Sequence, residues 1–412
     1  MKLLIAIPAL NEEDSIESII ERTLGARDYI LQHSPVTDVE VTVISDGSTD
    51  RTVELASRYL GRIQLIVFPK NRGYGAAIKE AWRQSDADLL GFLDADGTCE
   101  PRFFADLCST IESESADVVL GCRLNGQSCM PATRRFGNRV FALLLSMFSS
   151  SRVRDTASGM RVIRRRSLGA LLPLPDGLHF TPAMSARAML SSTIRLTEVD
   201  MPYHERVGES KLRVIKDGLR FLRVILETAF LYRPARPLIF AALALFSAAA
   251  LLMFPPMKFY LEHRFVLEWM IYRFLVSALA GTSACLAFCA AFLTDRMARI
   301  TLSEEFAPED TSKIVNFFRS RWFWAIPAGL LVIGGGLVLG SFLELLATGK
   351  TYEHWSRFIV MSFSFSTAII LVMTRVIDFV LGLVEQRVQY WKELAKERAG
   401  LVDAPKTEHV AA

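Results

Sequence analysis

Residues 89–104 read LLGFLDADGTCEPRFF and form the centre of the predicted fold. Its apolar start is typical of a buried strand, and Glu100 and Pro101 indicate that a helix follows. Asp94 and Asp96 lie between these elements, where the strand ends. Two carboxylates at this point suit a hard divalent cation, Mg²⁺ or Mn²⁺, whose coordination shell is completed by substrate phosphates. A solvated surface turn is the alternative, and it is the commoner setting for an isolated Asp-x-Asp pair.

The 412 residues divide into two parts of different composition. Hydrophobic residues make up 51% of the chain, but they concentrate in long apolar runs between residues 236 and 385. The net charge is only +3, and the chain shows no basic motif interleaved with aromatic residues, so we expect no nucleic-acid partner. The six cysteines lack the spacing of metal ligands, and we expect free thiols, as on a cytosolic face.

The first half alternates apolar runs with helical segments, which predicts an α/β domain with a mostly parallel, doubly wound sheet. The predicted strands are residues 2–8, 39–45, 63–68, 89–93 and 117–121. Right-handed crossovers place the carboxyl ends of parallel strands along one edge, where α/β proteins bind ligands. We therefore expect residues 8–12, Asp46 and residues 94–96 to lie together.

Two polar segments of this half have competing explanations. Asp46 can accept hydrogen bonds from a nucleobase or a ribose hydroxyl, but it can also cap the next helix. Ser48 or Asp50 can supply that cap instead, which would leave Asp46 for a ligand. The sequence NRGYG at residues 71–75 resembles a phosphate-binding loop, yet a tight turn that requires positive φ explains it about equally well.

In order along the chain, IPALNEE, ISDGSTDRT, NRGYGAAIKEA and FLDADG resemble the family 2 glycosyltransferases of the GT-A fold. The resemblance covers about the first half of the chain. It implies that the first two segments hold the nucleotide of a nucleotide-sugar, and that the D-x-D pair holds Mg²⁺ or Mn²⁺ on the diphosphate. The residues that it implies for nucleotide and metal binding are Pro8, Leu10, Asn11, Glu12, Asp46, Asp94, Ala95 and Asp96.

Later segments narrow the resemblance to the polyprenyl-phosphate hexose synthases, the group of the dolichyl-phosphate mannose and the dolichyl- or undecaprenyl-phosphate glucose synthases. These segments are VVLGCR at 118–123, TRRFGNRVF at 133–141, VRDTASGMRVIRR at 153–165 and HERVGESKL at 204–212. The resemblance implies arginines that hold the lipid phosphate and a loop that covers the site. The residues carried over for acceptor binding are Arg123, Arg134, Arg135, Ser158, Arg206, Ser210 and Lys211, with Arg123 and Arg134 also counted as catalytic.

Three further features bear on this resemblance. Thr98 stands where many relatives carry a glutamine that ligates the metal, so we expect water to complete the shell. Leu10 stands where an aromatic residue is common, which leaves the nucleobase open between GDP- and UDP-hexoses. Arg and Lys are frequent between residues 123 and 211, as expected where a diphosphate and a lipid phosphate meet, because the arginine fork binds phosphate bidentately.

The second half is predicted to cross a membrane four times. Apolar segments near the roughly 20 residues needed to span hydrocarbon lie at residues 237–254, 270–293, 322–344 and 358–384. Lys and Arg are more frequent in the segments after the second and fourth spans than in the other two connections. The positive-inside rule therefore predicts a multi-pass protein of the cell membrane or its equivalent, with the catalytic domain and both termini in the cytosol.

These patterns predict four parts. They are a GT-A domain at residues 1–210, an amphipathic interfacial helix at 211–235, an all-α transmembrane domain at 236–385 and a cytosolic tail at 386–412. The amphipathic helix is expected to lie in the headgroup plane, or alternatively to pack on the sheet. Residues 136–148 are a second candidate for a surface-bound helix.

Together these features predict inverting, metal-dependent transfer of a hexose from a nucleotide-sugar to the phosphate of a polyprenyl phosphate. Such an acceptor needs no general base, because its second pKa near 6 leaves it largely dianionic at neutral pH. Asp155 is then expected to orient other groups. One alternative is a processive polysaccharide synthase, although the string FRSRW at residues 318–322 lacks the glutamine of that class's Q-x-x-R-W motif. The other is a non-enzymatic membrane scaffold. Oligomerisation is left open.

Overall fold

The structure is a computed structural model that describes residues 1–126, 130–149, 152–204, 214–302, 313–350 and 354–402. It divides into two compact units, Met1–Tyr232 and Arg233–Ala412. The finer boundaries proposed at residues 210, 235 and 385 stay predictions.

The first unit is built on one sheet. Its strands are β1 (Lys2–Ala9), β2 (Asp38–Asp46), β3 (Gln64–Phe68), β4 (Leu89–Phe92), β5 (Val118–Cys122), β6 (Arg161–Arg164) and β7 (Leu196–Asp200). Their order in the sheet is β3-β2-β1-β4-β6-β5-β7. Of these strands β6 alone runs antiparallel to its neighbours, β4 and β5. The predicted Rossmann-like, mostly parallel sheet is confirmed, while β6 and β7 were not among the predicted strands.

Helices cover both faces of this sheet. They are α1 (Ile16–His33), α2 (Thr52–Ser57), α3 (Tyr74–Gln84), α4 (Phe104–Ser113), α5 (Ala132–Phe148), α6 (Leu168–Leu171), α7 (Phe180–Leu190) and α8 (Val214–Tyr232). Because side chains alternate along a strand, β1 feeds two cores. Leu3 and Ile5 join a cluster with α1 and α4, whereas Leu4 and Ala6 join one with α3 and α7. The central strands are thus buried on both sides, and their carboxyl ends form the exposed edge.

The second unit is helical. Its helices are α9 (Ala235–His263), α10 (Ile271–Thr301), α11 (Lys313–Arg319), α12 (Ala325–Thr348) and α13 (Trp355–Val402). In the described part of the chain, four helices are long and apolar enough to cross a membrane, and they match the four predicted segments. Helix α9 continues through Pro255 and Pro256, past the predicted end of the apolar segment at residue 254.

Charged side chains within this second unit pair with one another. Asp378 is buried and accepts a hydrogen bond from Arg375 Nη1 at 2.6 Å and from Arg296 Nε at 3.3 Å. Arg296 also donates through Nη2 to Glu385 at 2.7 Å. Ionised groups among apolar helices need such partners, so this network joins α10 to α13.

Candidate active site

The carboxyl edge of the sheet opens on a cavity of about 490 Å³ in the first unit. Nine predicted site residues line it: Pro8, Leu10, Glu12, Asp46, Asp94, Ala95, Asp96, Arg123 and Arg134. The topology therefore brings together segments that are more than 100 residues apart in sequence. Among the lining residues outside the prediction are Tyr74, Gly159, Tyr203, Arg220 and Phe221.

Asp94, just past the end of β4, is held on two sides. The hydroxyl of Tyr74 donates to Asp94 Oδ1 at 2.6 Å. On the other side the backbone of Gly159 lies so close that a Cβ atom there would be 1.9 Å from Asp94 Oδ2. Burial, together with the charge of Asp94, raises the pKa of Tyr74 well above its usual value, so the phenol stays a proton donor.

Asp96 is fixed by its own turn. The backbone N–H and the hydroxyl of Thr98 donate to Asp96 Oδ1, at 3.2 and 2.7 Å. Thr98 is only 1% exposed, so it acts on Asp96 and does not face the cavity. Thr98 therefore fixes the Asp96 carboxylate.

The donor chemistry of Asp94 and Asp96 fits a hard cation. Both carboxylates line one cavity, and the missing side chain of Gly159 leaves room for Asp94 beside the backbone. Among the described residues no group of three His, Cys, Asp or Glu side chains could hold a metal ion alone. Two carboxylates with phosphate and water oxygens are the usual protein site for Mg²⁺, so the remaining ligands would come from substrate.

Asp46 is hydrogen-bonded to the turn at residues 71–75. Asp46 accepts hydrogen bonds from the backbone N–H groups of Arg72 and Gly73, at 2.7 and 2.9 Å. The amides of Gly75 and Ala76 both donate to the carbonyl of Asp176, at 2.6 and 3.2 Å. These four amides already have partners and Gly73 has φ 109°, which favours the tight-turn interpretation, while Asn71, Gly73 and Tyr74 still line the cavity.

Asp46 is not the helix cap, because Asp50 Oδ1 accepts the Thr52 N–H at 3.0 Å at the start of α2. Asp46 thus reaches the cavity while it holds the turn.

Asn11 has a different place from the one predicted. Its side-chain oxygen accepts the N–H of Thr49 at 2.8 Å, and its own N–H donates to the hydroxyl of Ser48 at 3.1 Å. These bonds tie the loop after β1 to the loop after β2, and Asn11 is absent from the cavity lining. The backbone of Asn11 has φ 49°, a left-handed conformation that asparagine tolerates better than most residues. Asn11 therefore positions the loops after β1 and β2 instead of lining the cavity.

Arg123 and Asp155 form a buried bidentate pair. Arg123 Nε lies 2.7 Å from Asp155 Oδ2, and Nη2 lies 2.9 Å from Oδ1. Burial alone raises the pKa of Asp155, but the charge and hydrogen bonds of Arg123 outweigh it and hold the pKa below its usual range. Asn138 of α5 also donates to this carboxylate. Asp155 thus orients Arg123, as expected, and leaves the Nη1 side of the guanidinium for the cavity.

The other acceptor residues are placed differently. Arg134 lines the cavity from α5, whereas its neighbour Arg135 is half-buried and does not. Ser158 is fully buried, and its hydroxyl bonds the backbone of Met160, so the prediction that it binds phosphate is wrong. Three further predictions lie outside the described residues: Arg206, Ser210 and Lys211.

Arg161 is a residue of this site that the sequence analysis missed. It is fully buried on β6, and it donates through Nε to the carbonyl of Ser158 at 3.0 Å and through Nη2 to that of Thr156 at 2.9 Å. Burial lowers its pKa to about 10. It anchors the segment that presses Gly159 against Asp94. An arginine in an unpredicted strand gave no sequence signal of this role.

Comparisons with known proteins identify the family to which this chain is similar. The family model described as "Glycosyl transferase family 2" matches residues 4–172. The dolichyl-phosphate hexose transferase of Haloferax volcanii is 30% identical over 223 residues, which are 52% of this chain and 89% of that protein. The low-salt glycan biosynthesis hexosyltransferase Agl6 of the same organism is 30% identical over 55% of this chain and 54% of its own length.

A bacterial relative extends this set. The undecaprenyl-phosphate 4-deoxy-4-formamido-L-arabinose transferase of Photorhabdus laumondii is 29% identical over 52% of this chain and 64% of its own length. The chain thus spans only about half to two thirds of Agl6 and of this transferase. Among solved structures, glucosyl-3-phosphoglycerate synthase of Mycobacterium tuberculosis is similar at a TM-score of 0.43 and 19% identity, over 55% of this chain and 78% of that chain.

Proposed function

We propose that this chain, which belongs to glycosyltransferase family 2, transfers a hexose from a nucleotide-sugar to the phosphate of a polyprenyl phosphate, with inversion at the anomeric carbon. The observation that carries the proposal is one cavity lined both by two carboxylates, Asp94 and Asp96, and by Arg123 and Arg134. Two relatives support the acceptor, since they are named as transferases for dolichyl phosphate and undecaprenyl phosphate.

The donor occupies the strand-end side of the cavity. Asp94 and Asp96 would hold Mg²⁺ or Mn²⁺, and a cation there would neutralise the charge on the departing diphosphate. The nucleoside lies along Pro8, Leu10 and Asp46, which line the same side. Tyr74 and Thr98 keep the two carboxylates in place without further reorganisation, and such preorganisation lowers the barrier.

The acceptor phosphate occupies the arginine side. One of its oxygens attacks the anomeric carbon while the bond from that carbon to the diphosphate breaks, and the nucleoside diphosphate leaves with the electron pair. No proton has to be removed from a dianionic phosphate, so positioning replaces general-base catalysis. Arg123 and Arg134 set the direction of attack, with Asp155 as the group that orients Arg123.

Exposed apolar side chains on α5 and α8 support a membrane-bound acceptor. Phe136 is 71% exposed and Leu143 65% exposed on α5, where they share one helical face with Val140 and Met147. The exposed apolar residues of α8 are Leu219, Leu226, Phe230 and Leu231. An apolar surface of this kind is typical of helices that lie in the interface of a bilayer.

The sequence also allowed the amphipathic helix to pack on the catalytic domain. The face of α8 opposite the exposed apolar residues does pack there. Ile225 and Ala229 of that face are buried. Packing on one face and exposure of apolar residues on the other are compatible with a headgroup-plane position. The membrane-length helices indicate an integral membrane protein, and we propose the cytosolic orientation of the catalytic unit and both termini from the positive-inside pattern.

Radiolabel transfer tests this function. Purified full-length protein is incubated with a panel of UDP- and GDP-hexoses, polyprenyl phosphate and Mg²⁺ or Mn²⁺, with and without EDTA. Label that enters the organic phase from one donor, and that EDTA abolishes, is the expected result. A long water-insoluble polymer would indicate a processive synthase. Absence of both products, together with no Mn²⁺-dependent nucleotide binding, would indicate a scaffold.

A further inference from the structure

We propose that Arg220 of α8 is a further residue that binds the acceptor phosphate, and this inference rests on the proposed function. Arg220 lines the same cavity as Asp94 and Arg134. No family motif in the sequence points to it, because it lies in the amphipathic helix and not in the catalytic domain's motifs. The geometry points to a lipid-facing helix that also contributes a cation to the site.

Helix α8 presents different chemistry on its two sides. Arg220 and Phe221 line the cavity, while Leu219 and Leu226 are exposed. Phe221 is 7% exposed and packs edge-on against Phe141 of α5, with ring centroids 5.9 Å apart. This contact fixes the backbone next to Arg220, so the arginine is presented at a defined point of the cavity.

A buried carboxylate holds the guanidinium of Arg220. Asp217, one turn earlier and 3% exposed, accepts from Arg220 Nη1 at 3.1 Å. In the described part of the chain this is the one side-chain hydrogen bond of Arg220, whereas Arg123 uses two nitrogens on Asp155. The fork edge formed by Nε and Nη2 of Arg220 is therefore available for a phosphate, which arginine binds bidentately.

The charge of Arg220 reaches the cavity wall formed by the loop before α7. Burial, and after it the positive charge of Arg220, lowers the pKa of His179. Gly177 and Leu178, next to that histidine, line the cavity. The negative groups that oppose this effect are Asp176, Asp217 and Glu227. The positive charge of the Arg220 guanidinium therefore influences groups at the cavity wall and is not screened completely by bulk water.

These positions match the chemistry of a prenyl phosphate. Its headgroup carries close to two negative charges, and its tail is purely apolar. Helix α8 offers an arginine on the cavity side and leucines on the exposed side of the same two turns. A lipid that lies along α8 can therefore place its phosphate at Arg220 while its first isoprene units stay on the apolar face.

Arg220→Gln tests the assignment, and Arg223→Gln is the matched control. Arg223 is one turn further along α8, is 79% exposed, pairs with Glu227 at 2.7 Å and does not line the cavity. Initial rates are measured against polyprenyl phosphate in neutral phosphatidylcholine bilayers and against water-soluble citronellyl phosphate. Arg220→Gln should raise the KM for both acceptors by about 10- to 100-fold, as expected for a lost charged hydrogen bond, and leave the KM for the nucleotide-sugar unchanged. Arg223→Gln should leave all three values unchanged.

Two further measurements separate binding from structure. Direct binding of citronellyl phosphate to donor-free protein should weaken in Arg220→Gln and recover in part in Arg220→Lys, while thermal unfolding and nucleotide binding stay unchanged. An equal loss in both glutamine variants, or a loss seen only in bilayers, would show that Arg220 merely attracts the membrane and would overturn the assignment. If the wild-type protein transfers no sugar to either acceptor, the proposed function fails, and the binding series still decides whether Arg220 holds a prenyl phosphate.

Discussion

Gly159→Ala is the substitution that tests the metal site most directly. The added Cβ atom would lie 1.9 Å from Asp94 Oδ2 and 2.5 Å from its Cγ atom. Real Cβ atoms essentially never approach within 3.0 Å of such neighbours, so one of the two groups must move. Arg161 anchors the backbone of this segment through two carbonyls, whereas the Asp94 side chain can rotate. We therefore expect Asp94 to move.

The size of that movement sets the size of the effect. The carboxylate must retreat by about 1 Å, and a misplacement of this size costs on the order of 100-fold in rate when it affects a reacting or ligating group. Rotation of Asp94 also breaks its 2.6 Å hydrogen bond from Tyr74. Because the clash is with the end of a side chain and not with backbone, the fold should survive.

The assay combines EDTA-sensitive sugar transfer, Mn²⁺ binding by electron paramagnetic resonance and thermal unfolding. Gly159→Ala should lose about 100-fold in rate and bind Mn²⁺ more weakly, with the unfolding midpoint almost unchanged. Gly169→Ala is the control, since nothing lies within 4 Å of a Cβ atom there. Wild-type rate and Mn²⁺ affinity in Gly159→Ala would refute the placement of the metal at Asp94.

Three other substitutions probe the same site. Asp96→Ala should abolish transfer without unfolding the domain, and near-normal turnover would contradict the metal assignment. Tyr74→Phe removes the donor to Asp94 and should weaken Mn²⁺ binding by roughly tenfold in the same resonance titration, as expected for one hydrogen bond to a charged group; unchanged affinity would mean that Tyr74 only packs. Asp155→Asn leaves Arg123 buried without its counter-ion and should cost about 3–5 kcal/mol in urea unfolding at neutral pH. The depressed pKa of Asp155 means that its stabilising effect is present above the unfolded-state pKa and is lost as the pH falls into the acid range, so the difference between Asp155→Asn and wild type should shrink there.

The carboxylates could be located from the sequence because their positions follow from topology. Asp94 and Asp96 end a strand whose apolar run is unambiguous, and parallel strands must bring their carboxyl ends to one edge. Asp46 could be placed at the same edge for this reason. Which partners it takes there could not be predicted, because the amides of Arg72 and Gly73 lie more than 20 residues later in the chain, beyond α2 and β3.

The missed residues depend on contacts between segments that no local pattern encodes. Tyr74 matters because the start of α3 meets the end of β4, and Arg161 because a short antiparallel strand inserts between β4 and β5. For Ser158 the error is the opposite one, because the motif suggested a ligand-binding residue that does not reach the site. The motif that contains it does reach the site, but its glycine touches Asp94 while its serine is buried against Met160. A motif therefore identifies a segment more reliably than it identifies the atom that acts.

Backbone amides at residues 72–76 already donate hydrogen bonds to protein groups, which limits how the negative charge of bound substrates can be neutralised. The amides of Arg72 and Gly73 donate to Asp46 and those of Gly75 and Ala76 donate to Asp176, so these four amides do not face a diphosphate. In the proposed reaction, the donor and acceptor would together bring several negative charges into a cavity that Asp94 and Asp96 already line. Arg123 is largely compensated by Asp155. In the proposed reaction, a divalent cation at the two carboxylates and the charge of Arg220, which Asp217 engages through Nη1 alone, would allow both substrates to bind at once, so Asp96→Ala and Arg220→Gln should affect different substrates.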